Sequence, residues 1–208
     1  MLYTTYYAES NNITKERYQE MKKTLFIDDS KKQMEAFHLR KLEFLGGGSV
    51  KPIARYYLCV KNQDESQIYL EKKYIQNGIY YKKCSKLTGE ECRKIVSGDL
   101  EWMKDHKKEL VADFYRQVTL NNLYPGRTTD YCREIYYCKK GECLIFNKSI
   151  ERGVGECKNL FQEPEVKISC LDEEKVQMIY KKKAKLPQLV SSMLQAQEEN
   201  PEDLEFVF

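Results

Sequence analysis

Histidine is nearly missing from this chain: His38 and His106 are the only two in 208 residues. With so few imidazoles and no Cys-x-x-Cys pair there is no zinc signature, so the eight cysteines read as reduced, small apolar residues. Cys138 and Cys143, which flank Lys-Lys-Gly-Glu, are the pair placed to face each other across a hairpin. Long hydrophobic runs are lacking too. None approaches the length that crosses a bilayer, and the polar, aromatic N-terminus has no secretory pattern, so the expectation is a cytoplasmic chain without a transmembrane segment. Charge of one sign is also scarce. Thirty-five Lys and Arg face 32 Asp and Glu, a net charge of +3, which excludes a polycation that coats nucleic acid. Any basic site must therefore be local.

What is present is tyrosine, 16 in all, which favours strands with amphipathic walls. A mean hydropathy of −0.69 with 41% apolar residues suits one well-buried core. The expected layout is a single domain over 1–198 followed by an acidic, then apolar tail over 199–208. "LYTTYYA" (2–8) reads as a strand. "NNITKERYQEMKKTLF" reads as a helix capped by Thr14, with Ile13 and Tyr18 forming a hydrophobic staple. "AFHLRKLEF" (36–44) and the alternating "IARYYLCVK" (53–61) read as strands. "TGEECRKIVSG" is a short helix with a Thr88–Glu91 capping box closed by Gly98. A longer helix at about 106–121 buries Leu110, Val111, Phe114 and Val118, and Trp102 and Met103 are core anchors. Pro125-Gly126 turns the chain into a strand at 127–137, which "KKGE" returns at 142–148. "EVKISCL" and "KVQMIYKKK" are further strands, and a final helix starts at Leu186. About eight strands, mostly joined as neighbours, with a few peripheral helices, predict an α+β fold built on an antiparallel β-barrel.

The stretch "IYLEKKYIQNGIYYKKCSKLTGEE" (68–91) is one lysine-rich hairpin. A two-residue Asn-Gly loop sets its register, so Gln76 faces Ile79, Tyr74 faces Tyr81, Lys73 faces Lys82 and Glu71 faces Cys84. Like charges directly opposite are destabilising, and both faces carry such a pair, Lys73–Lys82 and Lys72–Lys83. One pair should be solvated. The other must be relieved by Glu71 or occupied by an anion.

"IYLEKKYIQNGIYYKKCSKLTGEECRKIVSGDLEWM" followed by "ELVADFYRQVTLNNLYPGRTTDYCREIYY" resembles the bacterial branch of the vacuolar transporter chaperone (VTC) catalytic domain. That domain is a polyphosphate polymerase of the triphosphate tunnel metalloenzymes. "FHLRKLEF", "IARYYLCVK" and "QMIYKKKAKLP" are collinear with further strands of the family. The resemblance implies an antiparallel tunnel whose interior cations grip triphosphate, nucleotide or polyphosphate, assisted in active members by glutamate-bound Mn²⁺ or Mg²⁺. It assigns Glu71 to the metal. Lys73, Lys82, Arg133 and Lys181 fall at catalytic positions, and Arg55 and Tyr131 join them as phosphate contacts.

The chain also departs from the family pattern. Tyr57 and Cys59 stand where arginines alternate, Leu144 and Asn147 where an arginine and an aspartate are expected, and Ile179 at the late metal-binding glutamate. The N-terminal strand carries neither of its usual charges. Phosphoryl transfer depends on charge neutralisation and alignment, and each preorganised donor is worth roughly 2.7–4 kcal/mol. The resemblance therefore implies a phosphate-binding protein with reduced or lost transfer. If active, it would be an ATP-dependent polyphosphate polymerase or triphosphatase. A catalytically inactive module that serves as a structural subunit or engages a protein partner is the alternative, and no nucleic acid is expected.

Overall fold

The computed structural model describes residues 2–6, 8–27, 34–46, 54–76, 79–138, 141–181 and 192. The Asn77-Gly78 turn, the helix expected from Leu186 and the tail lie outside the described residues, as do the side chains of Lys181, Cys138 and Cys143. In chain order the elements are β1 (Leu2–Tyr6), β2 (Ala8–Thr14), α1 (Lys15–Ile27), β3 (Met34–Leu45), β4 (Ala54–Lys61), β5 (Ile68–Gln76) and β6 (Ile79–Leu87). They continue with α2 (Gly89–Ser97), a 3₁₀ turn (Glu101–Met103), α3 (Glu109–Asn121), β7 (Tyr124–Cys138), β8 (Gly141–Gly153), β9 (Lys167–Ser169) and β10 (Lys175–Lys181). The fold is α+β with antiparallel pairing. Two compact units share the long strands β7 and β8: one comprises 1–6, 37–131 and 150–170, the other 7–36, 132–149 and 171–208.

In the first unit the strands run β1-β6-β5-β4-β3-β7, and β9 pairs with the end of β8. Alternation decides what each face does. Leu42, Phe44, Tyr56, Leu58, Val60, Ile68, Leu70 and Leu87 form an apolar face that packs on Cys92 and Ile95 of α2, Met103, and Leu110, Val111 and Phe114 of α3. Phe44 meets Phe114 edge to face at 4.8 Å between centroids. Helix α2 has the expected capping box between Thr88 and Glu91, and Gly98 closes it at a φ of 83°. Helix α3 starts later than expected because the Lys108 N–H donates to His106 Nδ1 (3.1 Å), which diverts the backbone before Glu109.

The second unit pairs the remainder of β7 with β8, β8 with β10, and β10 with β2. Tyr18, Met21 and Leu25 of α1 pack on Ile13, Tyr136, Leu144, Phe146, Val176 and Met178. The Arg17 N–H donates to Thr14 Oγ1 at 3.3 Å, and Ile13 and Tyr18 are both buried, as the capped and stapled helix requires.

Three expectations change. Residues 8–14 form a strand leading into the helix, because β10 offers them a seven-residue antiparallel partner, while Thr14 still starts α1 at Lys15. The turn before β7 is made by Asn122 in the left-handed region (φ 48°, ψ 49°), so Pro125 and Gly126 already lie within the strand. Gly126 is there for space: a Cβ would sit 2.8 Å from the Leu45 side chain and 3.0 Å from the Glu43 carbonyl oxygen. Among the described residues β1 pairs with β6 alone and β2 with β10 alone, so neither unit's series of pairings closes into the expected barrel.

Among the described residues no helix is long and apolar enough to cross a membrane. Thr88→Ala should lower stability by about 1 kcal/mol in urea unfolding, with Thr88→Asn recovering most of it.

Candidate functional site

The second face of the first unit's sheet alternates with the apolar one and carries the charged residues. Register places Arg55 opposite Lys73 and Lys73 opposite Lys82, and it places Tyr57 opposite Glu71 and Glu71 opposite Cys84. Arg55, Glu71, Lys73 and Lys82 therefore share one face, as the hairpin register predicts. This face is not solvated. Tyr57 and Cys59 are buried, and the Glu71 side chain is only 4% exposed.

Glu71 is the hub. Its Oε1 lies 2.8 Å from Lys41 Nζ and 3.5 Å from Lys73 Nζ, and its Oε2 lies 2.8 Å from Lys82 Nζ. Burial pushes the Glu71 carboxyl up, but the Lys41, Lys82 and Lys73 ammonium groups outweigh it and hold the group well below the usual carboxylate range. Tyr57 lies between two of these cations: Lys41 Nζ is 5.2 Å and Lys73 Nζ 5.4 Å from its ring centroid. The Tyr57 hydroxyl lies 3.5 Å from Glu43 Oε1, and Arg55 lies 4.0 Å from the same oxygen. Lys41 pairs across the strands with Cys59, and Glu71 with Cys84. These small residues leave the volume that the long lysine side chains cross. Burial pushes the Cys59 thiol up to about 12, and Cys84 is raised by the same cause, so neither is a thiolate nucleophile.

The opposite lysine pair has its own counter-charge. Lys72 reaches Asp113 of α3 at 2.7 Å, and the Tyr56 hydroxyl donates to the same carboxylate at 2.7 Å. Burial raises Asp113, but its bonds from Lys72 and Tyr56 win and lower it. The expected solvated face is thus held by a helix carboxylate instead.

At the centre of the polar face, Lys41, Arg55, Lys73 and Lys82 gather around the carboxylates of Glu43 and Glu71. A divalent ion does not fit Glu71 as it stands. Both carboxylate oxygens already contact ammonium groups, and like unit charges about 4 Å apart repel by about 4 kcal/mol near a protein surface, a figure that a second charge doubles. Among the described residues no three His, Cys, Asp or Glu side chains gather as a metal site would require.

The other named residues lie on β7 and β10. Tyr131 is buried in the first unit. Arg133, in the second unit, donates from Nε to Asn147 Oδ1 at 2.9 Å, and Asn147 Nδ2 donates to Gln177 Oε1 at 2.7 Å. Ile179 shares the face of Gln177, whereas Leu144 packs with α1 in the apolar cluster. Leu144 is therefore a core position, and its apolar character removes no polar contact. Lys181 is the last residue of β10, paired in register with Ala8.

Sequence reasoning missed Lys41, Asp113 and Arg40. Arg40 is 1% exposed and finds five acceptors for its five N–H groups: both oxygens of Asp130 (2.7 and 3.1 Å), the carbonyls of Leu160 (3.3 Å) and Gln162 (2.9 Å), and Glu163 (3.1 Å). The alternation of "FHLRKLEF" places Arg40 and Lys41 on opposite faces, which was the one available signal.

An antiparallel sheet with helices on one face and buried basic residues on the other is the arrangement of the triphosphate tunnel class, and solved structures agree. A protein provisionally assigned as an adenylate cyclase from Bacillus halodurans superposes with a TM-score of 0.55 at 11% identity, covering 94% of this chain and 89% of that one. A provisionally assigned adenylyl cyclase from Hippeastrum, described as having a dominant triphosphatase activity, gives 0.52 at 10% identity over 92% and 84%. At such identity the likeness defines the fold. The model of the VTC domain matches residues 4–149, and the chain belongs to the VTC domain family. No curated protein matches the sequence.

Two outcomes follow from the hub. Because the folded pKa of Glu71 lies below the unfolded value of about 4.3, its contribution is complete above that value and is lost as pH falls through the folded pKa. Glu71→Gln should lower stability at pH 7 by about 3–5 kcal/mol and flatten the acid limb of stability against pH. In native thiol labelling, exposed Cys132 and Cys170 should react quickly, while buried Cys59 and Cys92 react only on unfolding.

Proposed function

We propose that the chain binds triphosphate or polyphosphate on the basic face of the first unit, with phosphoryl transfer reduced or lost. The observation that carries this reading is the gathering of cations on one partly buried face: the Lys41, Lys73 and Lys82 side chains are 8%, 15% and 28% exposed, with Arg55 beside them at 44%. Buried charge requires compensation, and Glu71 supplies it to Lys41, Lys73 and Lys82 together. A multiply charged anion takes up Lys73, Lys82 and Arg55 as donors. Tyr131 of the same unit is a further phosphate contact in this reading, Arg133 and Lys181 are phosphate donors of the second unit in their own right, and the triphosphatase activity of a neighbour of the same fold is consistent with it.

Transfer asks for more than binding. It needs a divalent ion bridging phosphates on a fixed carboxylate and donors aimed at the moving phosphoryl group. In this chain the central carboxylate is bonded to lysines and Ile179 offers no ligand atom. A second reading rests on the same hub: a carboxylate bridged by three lysines also suits a silent structural subunit that needs no ligand.

Thermal unfolding separates the readings. Tripolyphosphate should raise Tm at low salt, lose the effect at high salt, and fail to act on a Lys73→Ala, Lys82→Ala double variant. ATP turnover should stay at background with Mn²⁺. Vigorous polyphosphate synthesis would overturn the loss of transfer, and no stabilisation at low salt would leave the structural reading.

A further inference from the structure

Lys41 is absent from every role that the family resemblance assigns, yet it makes one of the two shortest contacts to the central carboxylate. Its Nζ lies 2.8 Å from Glu71 Oε1, and its side chain is 8% exposed. It reaches that oxygen from β3, two strands away from β5, past the small Cys59 and alongside the Tyr57 ring. Lys82 closes the other carboxylate oxygen at 2.8 Å, and Lys73 approaches Oε1 at 3.5 Å. The carboxylate that would hold a divalent ion is thus already a lysine-bridging group.

We infer that Lys41 is a resident cation in the place of a metal, so that this protein takes oligophosphate in its metal-free form. The inference rests on the anion-binding reading above and specifies its ligand. Free tripolyphosphate presents its full negative charge to Lys73, Lys82 and Arg55. Its Mg²⁺ or Mn²⁺ complex carries less charge and brings a divalent ion toward three ammonium groups. Glu71 then orients Lys73 and Lys82 toward the phosphates and coordinates nothing itself. Lys41 is accordingly a positioning residue: it makes the shorter of two lysine contacts to Oε1 of Glu71, and without it only the longer Lys73 contact guards that oxygen against a metal.

The full chain is titrated calorimetrically with sodium tripolyphosphate at constant ionic strength, once in chelator and once with excess Mn²⁺, and Mn²⁺ binding alone is read by electron paramagnetic resonance. The expected result is that binding in chelator is tighter than, or within threefold of, binding with Mn²⁺, and that the wild-type chain leaves the free Mn²⁺ signal unchanged. Lys41→Met should broaden the free Mn²⁺ signal measurably where the wild-type chain does not, far short of one equivalent because Lys73 and Lys82 stay on the carboxylate, and the added Glu71→Gln change should remove that uptake. Binding more than threefold tighter with Mn²⁺, or stoichiometric Mn²⁺ uptake by the wild-type chain that Glu71→Gln removes, overturns the inference and leaves anion binding in place. A folded Lys41→Met chain that binds no Mn²⁺ also overturns the role of Lys41. No binding of tripolyphosphate in either condition overturns the anion-binding reading itself. The wild-type measurements decide the matter even where Lys41→Met does not fold.

Discussion

One buried carboxylate sets the terms for the basic sheet. Glu71 could not be buried as an anion alone, and Lys73 and Lys82 could not lie opposite each other without it. Each makes the other tolerable, and Lys41 joins from a third strand. The surrounding residues follow from that requirement. Cys59 and Cys84 stay small where the lysine side chains must pass, and Tyr57 offers its ring to two ammonium groups. On the opposite face Asp113 does for Lys72 what Glu71 does for its neighbours, so the lysine-rich hairpin is held by carboxylates on both sides.

The molecule buries its cations in three ways, and the differences are chemical. Arg40 is fully engaged, every N–H directed at an acidic or carbonyl oxygen, and so it serves the structure alone. Lys41, Lys73 and Lys82 converge on one carboxylate. Arg133 is oriented by the neutral carboxamide of Asn147, itself fixed by Gln177, so this contact directs the guanidinium without cancelling its charge. A buried arginine is thus a strut or a charged donor according to the partner it meets.

Much of this was legible in the sequence because it is local. The Asn-Gly dipeptide determines pairing along β5 and β6, and from pairing comes the shared face of Glu71, Lys73 and Lys82. The capping box of α2 and the stapled start of α1 are patterns of four and six residues and read equally well. The missing parts all depend on distant partners. Lys41 reaches Glu71 only once β3, β4 and β5 are aligned, Asp113 meets Lys72 only when α3 docks, and residues 8–14 become a strand only because β10 lies alongside. Leu144 shows the opposite error: collinearity with a family suggested a lost arginine, while strand alternation places the residue in the core.

The Arg40 anchorage bears on when the chain can fold. Arg40 closes on the carbonyl of Leu160 across 120 positions, and the first unit draws on three separate stretches of sequence that end at Cys170. During synthesis its early strands must therefore wait for most of the polypeptide to emerge before their last buried guanidinium finds its acceptors. High contact order of this kind slows folding and prolongs the exposure of unpaired strand edges. The strand edges of the first unit thus stay unpaired until the segment around Leu160 has left the ribosome.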